Sequence, residues 1–350
     1  VTPIRTLAFF ESWVDPAAER LLAAHPGIEV MRLRYDDDRT ANDAAMARAH
    51  GYQVQSRTEL REPWLGDAAL LARCPNLLAL SSTGAGYDYI DVAACTAAGV
   101  IVCHQSGTNT EAVAEHALGL ILALSKRIGL ADKAMRRPGV IDRFALQGND
   151  IRGKTVGLVG LGAIGTRVAA LCGTLFGMRV LACDPYLDAA QVSARGAEKV
   201  ALEELLRQSD FVSVHCPRSA ETMRLFGAAQ FALMKPTAYF LNTARGGIHD
   251  ETALVEALAQ VRIAGAGIDV FLHEPPPHDH PLMQFDNVLL TPHTAGITAE
   301  SLHDMAVGAA EQWVALLAGR VPPRLVNPEA WPAYSARFQR ILGLAPDRLE

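Results

Sequence analysis

The sequence predicts an α/β protein built on two doubly wound parallel sheets. Three observations carry this expectation. From the first residues to about residue 106, apolar β-prone runs alternate with helical patterns, the rhythm of parallel strands joined by crossover helices. The same alternation resumes at KTVGLVG and continues to VLLTPH. A chain of 350 residues that is 50% apolar and 20% charged has the composition of a folded protein and is too long for one ordinary hydrophobic core.

In order, the first half reads as strand TLAFF, helix 16–25, strand IEVMRL, helix 42–49, strand YQVQS, helix 63–74, strand LLALSST, helix 90–98 and strand VIVCH. The segment TEAVAEHALGLILALSKRI is small and apolar almost all round, so this helix is expected to be buried between layers and to connect the two bodies. After the Pro/Gly-containing stretch RRPGVIDRFALQGND come strand KTVGLVG, a helix over 163–176, strands MRVLACD, FVSVHC and TAYFLNT, a helix over 250–260, and strands IAGAGIDVF and VLLTPH. A last helix near 299–318 ends at Gly319, and the tail RVPPRLVNPEAW is expected to be extended. No repeat of fixed period interrupts this order.

Composition excludes several classes of function. The formal net charge of −6 provides no basic field to collect nucleic acid or anionic lipid. The six cysteines are scattered, mostly within apolar runs and without the close spacing of a zinc site, so no metal is expected and the thiols read as reduced core residues of a cytoplasmic protein. Apolar runs such as ALGLILAL are far shorter than the roughly 18 residues that suggest a membrane span. No signal-peptide pattern is read ahead of the first strand.

The first chemical signal is GLVGLGAIG, which sets Gly160, Gly162 and Gly165 in G-x-G-x-x-G order. With 28 glycines in 350 residues, chance alone supplies roughly 0.2 such matches per chain, so spacing by itself is weak. Context strengthens it. The motif follows an apolar strand and opens a helix, where glycines permit a tight turn and the helix N-terminus faces a pyrophosphate. The next strand ends in Asp184, with 18 residues between it and Gly165. That carboxylate is placed to accept from ribose hydroxyls, and it would repel a 2′-phosphate, so NAD is expected over NADP.

The second signal is a set of charged residues at strand ends. Arg245 ends TAYFLNTA, Asp269 ends IAGAGID, Glu274 follows shortly after, and His293 closes VLLTPH. Ligands of open α/β sheets bind outside the carboxyl ends of the strands. A histidine and a carboxylate meeting there make an acid/base pair, because the carboxylate takes one ring N–H and fixes the tautomer. Arg245 needs an anion to meet its planar donor fork, either a ligand or Asp250 or Glu251 of the following helix. Gly246 and Gly247 would let backbone lie close to a cofactor.

These segments resemble the D-isomer-specific 2-hydroxyacid dehydrogenases, a family with D-lactate, glycerate, hydroxypyruvate and 3-phosphoglycerate members. LNTARGGIHDETAL is similar to the family's arginine segment, GIDVFLHEPPP to its Asp and Glu segment, and LLTPHTAG to its histidine segment. With GLGAIG and CDPY these make five matches in order, over nearly the whole chain. The resemblance implies a Rossmann NAD-binding domain at residues 107–296, inserted in a flavodoxin-like substrate-binding domain at 1–106 and 297–350. It implies interconversion of a D-2-hydroxy acid and its 2-keto acid, with Arg245 binding the keto acid, His293 giving and taking the proton, and Glu274 as its partner. The cofactor contacts it implies are Gly160, Gly162, Ala163, Ile164, Gly165, Asp184, His215, Cys216, Pro217, Thr243, Ala244, Arg245, Asp269 and His293. For the substrate it points to Ala85 and Gly86 in STGAGYDYID, whose backbone N–H groups would hold the carboxylate, and to Arg57 in QSRTEL, which would face the substrate tail. It also implies a homodimer assembled through the nucleotide domain.

Two neighbouring groups share this pattern. Formate dehydrogenases pair the histidine with an amide, which Glu274 argues against. The C-terminal-binding-protein corepressors carry the same Arg, Glu and His positions and act as non-catalytic NAD(H)-sensing proteins, a reading that turnover of 2-keto acids would separate from the enzyme. His249 stands where an apolar residue is usual, and the loop EPPPHDHP carries His278 and His280.

Overall fold

Among the residues described by the computed structural model, 4–56 and 58–349, twelve short strands carry the fold. β1 (Arg5–Phe10), β2 (Ile28–Leu33), β3 (Gly51–Val54), β4 (Ala79–Ser82) and β5 (Ile101–Cys103) form a five-stranded sheet in the order β2-β1-β3-β4-β5. β6 (Thr155–Val159), β7 (Arg179–Cys183), β8 (Glu198–Lys199), β9 (Phe211–Val214), β10 (Tyr239–Asn242), β11 (Gly265–Ile268) and β12 (Val288–Leu290) form a seven-stranded sheet in the order β12-β11-β10-β9-β6-β7-β8. Every pairing in both sheets is parallel, as the βα alternation predicts. The described residues up to Asn109, with those from Thr298 onward, make one compact unit, and Thr110–Ile297 make the other.

In the first unit the period of two along β1 sends Leu7 and Phe9 to a core shared with Trp313 and Leu316, and Ala8 and Phe10 to a core shared with Met46, Tyr52 and Trp64. Trp313 lies on the long helix Ala299–Leu317 and donates its indole N–H to Gln53 Oε1 at 2.7 Å. In the second unit Phe240 faces one side of the sheet with Val212 and Ile268, while Tyr239 and Leu241 face the other with Val156 and Val180. The helix Thr110–Ser125 lies against that second side through Ala117, Leu120, Ile121 and Leu124. It is therefore an integral layer of the second unit. Among the described residues no helix is long and apolar enough to cross a membrane.

Several local expectations are corrected. The helix expected over 63–74 starts only at Ala68, because Asp67 accepts from Leu70 N and caps it there. The helix expected over 163–176 is α-helical to Ala170 and widens into a π turn over Leu171–Leu175. A further helix, Ile128–Arg136, follows a break at Arg127, whose φ is +53°. The helices Ala189–Ala194, Leu202–Gln208 and Ala228–Leu233 supply crossovers that were not read from the sequence. The Pro-rich tail is not simply extended. It turns at Pro328–Ala330 into the helix Trp331–Leu342, which buries Trp331, Tyr334, Phe338 and Leu342 on one face.

Candidate active site

The order of the seven-stranded sheet reverses at β6, which pairs with β7 on one side and β9 on the other. Such a switch point opens a crevice at the carboxyl ends of the strands, and the glycine turn occupies it. Gly160 follows β6 at φ +93°, and a Cβ there would come within 2.7 Å of Cys216 N. A Cβ on Gly165 would lie 2.3 Å from the Gly160 carbonyl oxygen, so only glycine allows this approach of helix to turn. Gly162 differs, since nothing lies within 4 Å of where its Cβ would be. It is the N-cap of the helix Ala163–Ala170 and has no side chain to cap it, so no capping side chain takes up the first N–H groups of that helix, the arrangement that suits an anion.

Around this turn the polar groups fit a dinucleotide. Asp184 Oδ2 accepts from Leu161 N at 2.9 Å and Oδ1 from Tyr186 N at 3.0 Å, which fixes the carboxylate while each oxygen keeps a lone pair for a ribose hydroxyl. Arg195, which the sequence did not single out, donates to the Leu161 carbonyl. The Thr243 hydroxyl is buried with no partner among the described residues. His215 shares a 2.9 Å hydrogen bond between its Nε2 and Ser213 Oγ, and burial pushes its pKa down to about 4, so the ring is neutral. Burial pushes the Cys216 thiol up to about 11, which keeps it protonated.

The second half of the sheet delivers the charged residues. Asn242, Ile268 and Leu290 are aligned across β10, β11 and β12, so the chain leaves all three strands along one edge just before Arg245, Asp269 and His293. Asp269 is fully buried. Its Oδ1 accepts from the Thr291 hydroxyl at 2.6 Å and Thr294 N at 2.8 Å, and its Oδ2 from Ala295 N at 3.0 Å. A carboxylate satisfied in this way is a clamp on the turn that carries His293. That turn puts His293 at φ +57°, with its N–H bonded to the Asp269 carbonyl at 2.8 Å, a backbone conformation uncommon outside glycine.

The imidazole so presented meets Glu274, with His293 Nδ1 and Glu274 Oε2 2.8 Å apart. The other carboxylate oxygen, Oε1, accepts from Phe271 N at 2.9 Å. Burial pushes the Glu274 pKa up, but the hydrogen bond and charge of His293, the Phe271 N–H and the Arg245 charge outweigh it, and the carboxyl lies below its usual range. Arg245 donates through Nη1 to the Ala244 carbonyl at 2.7 Å. Two acids stand at the start of the following helix. Asp250 caps its helix at Ala253 N, and Glu251 accepts from Leu272 N at 2.7 Å.

The family profile described as D-isomer specific 2-hydroxyacid dehydrogenase, NAD binding domain, matches residues 118–295. The chain belongs to this family. The glyoxylate reductase of Thermofilum pendens is 43% identical over 272 residues, 75% of this chain and 78% of that protein. Among solved structures, the holo form of Rhodotorula graminis D-mandelate dehydrogenase aligns with a TM-score of 0.83 at 27% identity, over 93% of this chain and 98% of that one. The D-lactate dehydrogenase of Aquifex aeolicus, complexed with NAD and lactic acid, aligns with a TM-score of 0.75 at 27% identity, over 89% and 96%. This D-2-hydroxyacid dehydrogenase is thus an NAD-dependent oxidoreductase, on the expected fold of parallel α/β sheets.

Arg57 lies outside the described residues. The Ala85–Gly86 turn is anchored through its carbonyls: Ala85 O is 3.1 Å from His104 Nδ1, and Gly86 O accepts from the Ser82 hydroxyl. Among the described residues nothing accepts from the N–H groups of Ala85 and Gly86. His116 Nε2 is 3.2 Å from the Thr291 hydroxyl and 4.0 Å from Asp269 Oδ1, extending the clamp under His293. His249, noted as a departure, is buried and pairs its Nδ1 with Asn242 Nδ2 at 3.0 Å. Asn242 Nδ2 also donates to the Arg245 carbonyl at 3.0 Å, a link that no local pattern announces.

Proposed function

We propose that this dehydrogenase reduces a small 2-keto acid to the D-2-hydroxy acid and runs the reverse oxidation, with His293 as proton donor and acceptor, Glu274 as its carboxylate partner and Arg245 binding the keto acid. The observation that carries the reading is the 2.8 Å contact between His293 Nδ1 and Glu274 Oε2, made along the strand edge from which Arg245 also emerges. With Nδ1–H donated to Glu274, the proton on Nε2 is the one available to substrate.

When bound, the nicotinamide supplies the hydride. His293 gives its Nε2 proton to the carbonyl oxygen as negative charge develops there, and the ionised Glu274 stabilises the imidazolium until that transfer. In oxidation the neutral ring takes the hydroxyl proton back. Arg245 sets its planar fork against carboxylate and carbonyl oxygens, each such bond being worth about 1.5 to 3 kcal/mol, enough to hold the acid in one orientation. The N–H groups of Ala85 and Gly86 are our candidates for the substrate carboxylate, and Arg57 for the tail. The glycine turn with Ala163 and Ile164, the segments His215–Cys216–Pro217 and Thr243–Ala244, and Asp269 are the proposed surroundings of the cofactor. Asp184 selects NAD over NADP.

We further read the protein as cytoplasmic, in keeping with six free cysteines, as not binding nucleic acid, in keeping with a net charge of −6, and as the homodimer that the family resemblance implies. The test is NADH oxidation with glyoxylate, hydroxypyruvate, pyruvate and phenylpyruvate. Glyoxylate, named in the Thermofilum pendens relative, is the first candidate. Turnover of at least one substrate by the wild type and its loss in His293→Ala are expected. No turnover on any of the four, with NADH binding retained, would favour the NAD(H)-sensing corepressor reading instead.

A further inference from the structure

The loop that carries Glu274 has little apolar anchorage. From residue 271 to 280 only Phe271 is buried, and most of the remainder is exposed. Position is instead imposed by two consecutive peptide N–H groups that go to two different carboxylates. Phe271 N donates to Glu274 Oε1 at 2.9 Å, and Leu272 N donates to Glu251 Oε1 at 2.7 Å. Each carboxylate also holds an imidazole. Glu274 Oε2 meets His293 Nδ1 at 2.8 Å, and Glu251 Oε2 meets His280 Nε2 at 3.3 Å.

Glu251 is the first residue of the helix Glu251–Ala259, but that helix is already capped by Asp250. Its carboxylate is therefore free to reach across to the loop. His280 in turn accepts from Leu282 N through Nδ1 at 3.3 Å, at the start of the turn Pro281–Gln284, which leaves the ring proton on Nε2, facing Glu251. The ring also stands edge-on to Phe271, with centroids 5.4 Å apart. Gly246, next to Arg245, abuts the same point, since a Cβ there would fall 1.8 Å from the Phe271 carbonyl oxygen.

We propose that Glu251 and His280 form a second imidazole–carboxylate pair which never touches the reacting atoms and acts as a positioning device, holding the Phe271–Leu272 backbone so that Glu274 reaches His293. The inference rests on the acid/base reading of His293 and Glu274. Without the pair, the Leu272 N–H and the far end of the loop lose their common anchor, and Glu274 moves relative to the imidazole while the glycine turn of the cofactor site is untouched. Near the first carboxylate the charged or titratable groups are His293 and Arg245; near the second they are His280, Asp250 and the neutral ring of His249.

Two substitutions divide the functions of one ring. His280→Asn keeps an acceptor for Leu282 N but is too short to reach Glu251, whereas His280→Gln retains a donor near the Nε2 position. Each is assayed with NADH and glyoxylate across pH 5.5–9.5, alongside thermal unfolding, NADH binding and His293→Ala as reference. His280→Asn and Glu251→Ala are expected to lower kcat about tenfold and to move its alkaline limb down by about half a pH unit, with NADH affinity unchanged. His280→Gln is expected to recover most of kcat. A His280→Asn enzyme with wild-type kcat and profile overturns the proposal, as does a loss of kcat with the limb unmoved or a His280→Gln loss equal to that of His280→Asn. If His293→Ala itself is fully active, the acid/base reading falls and this inference with it. If His293→Ala is inactive and His280→Asn is normal, only the positioning role falls.

Discussion

His293 Nδ1 lies 2.8 Å from Glu274 Oε2, and the two residues come from different loops at the same edge of the sheet. The pair assigns separate effects to the two side chains. His293→Ala removes the proton donor and is expected to lower turnover by about 10² to 10⁴. Glu274→Gln keeps the shape but removes the charge that stabilises the imidazolium, so the alkaline limb of the reduction profile should move to lower pH. Steady-state rates from pH 5.5 to 9.5 check both. A profile unchanged by Glu274→Gln would remove the carboxylate from the mechanism.

Asp184 is held by Leu161 N and Tyr186 N, so its charge cannot swing away from a group bound beside it. A 2′-phosphate at about 4 Å, at an effective dielectric near 20, meets roughly 4 kcal/mol of repulsion per unit charge, about a thousandfold in affinity. Wild-type protein should therefore prefer NADH strongly over NADPH, and Asp184→Asn should shrink that preference while retaining an acceptor oxygen. Comparable Michaelis constants for the two cofactors in the wild type would refute the assignment.

The glycine turn, Asp184 and the strand-end Arg245 and His293 were legible because each is a local pattern, a few residues long, placed by the βα alternation at the carboxyl end of a strand. Other features depend on residues far apart in the chain. Asp269 is also a strand-end residue, but the partners of its oxygens, Thr291, Thr294 and Ala295, are ones that only the pairing of β11 with β12 brings close. The Glu251–His280 contact joins a helix start to a distant loop in the same way. In the tail, the prolines concealed the spacing of Trp331, Tyr334 and Phe338, which is helical and apolar and wins over local propensity because the first unit offers a core to bury it.

Two glycines separate the demands of folding from those of the cofactor. Gly162 has open space at its Cβ position, and its φ of −73° suits any residue, so Gly162→Ala should fold with unchanged thermal stability but bind NADH more weakly, since the methyl enters the space in front of the helix N-terminus. Gly246→Ala has no such room, its Cβ falling 1.8 Å from the Phe271 carbonyl oxygen. Pushing the Arg245 and Glu274 loops apart should cost about 1 to 3 kcal/mol in stability and most of the activity. Thermal unfolding together with NADH fluorescence titration distinguishes the two. Equal loss of stability in both variants would contradict this division.

His249 provides a prediction about stability and pH. Burial pushes its pKa down to about 4, against the opposing charges of Glu251 and Asp250 and with a small further lowering from His280. Its neutral ring takes the Asn242 Nδ2 hydrogen bond at 3.0 Å. In the unfolded chain the ring titrates near 6.5, so between about 4 and 6.5 the unfolded state carries a proton that the native state lacks. Stability then rises with pH across this window, by about 1.4 kcal/mol per unit at most, and the contribution levels off above it. His249→Leu cannot titrate and should lose that part of the slope, while releasing Asn242 from one of its partners. Urea unfolding at pH 4.5, 5.5, 6.5 and 7.5 reads the difference directly. The wild type should gain on the variant as pH rises to 6.5 and hold a constant margin beyond it, and a margin independent of pH throughout would mean that the buried ring is not neutral in the native protein.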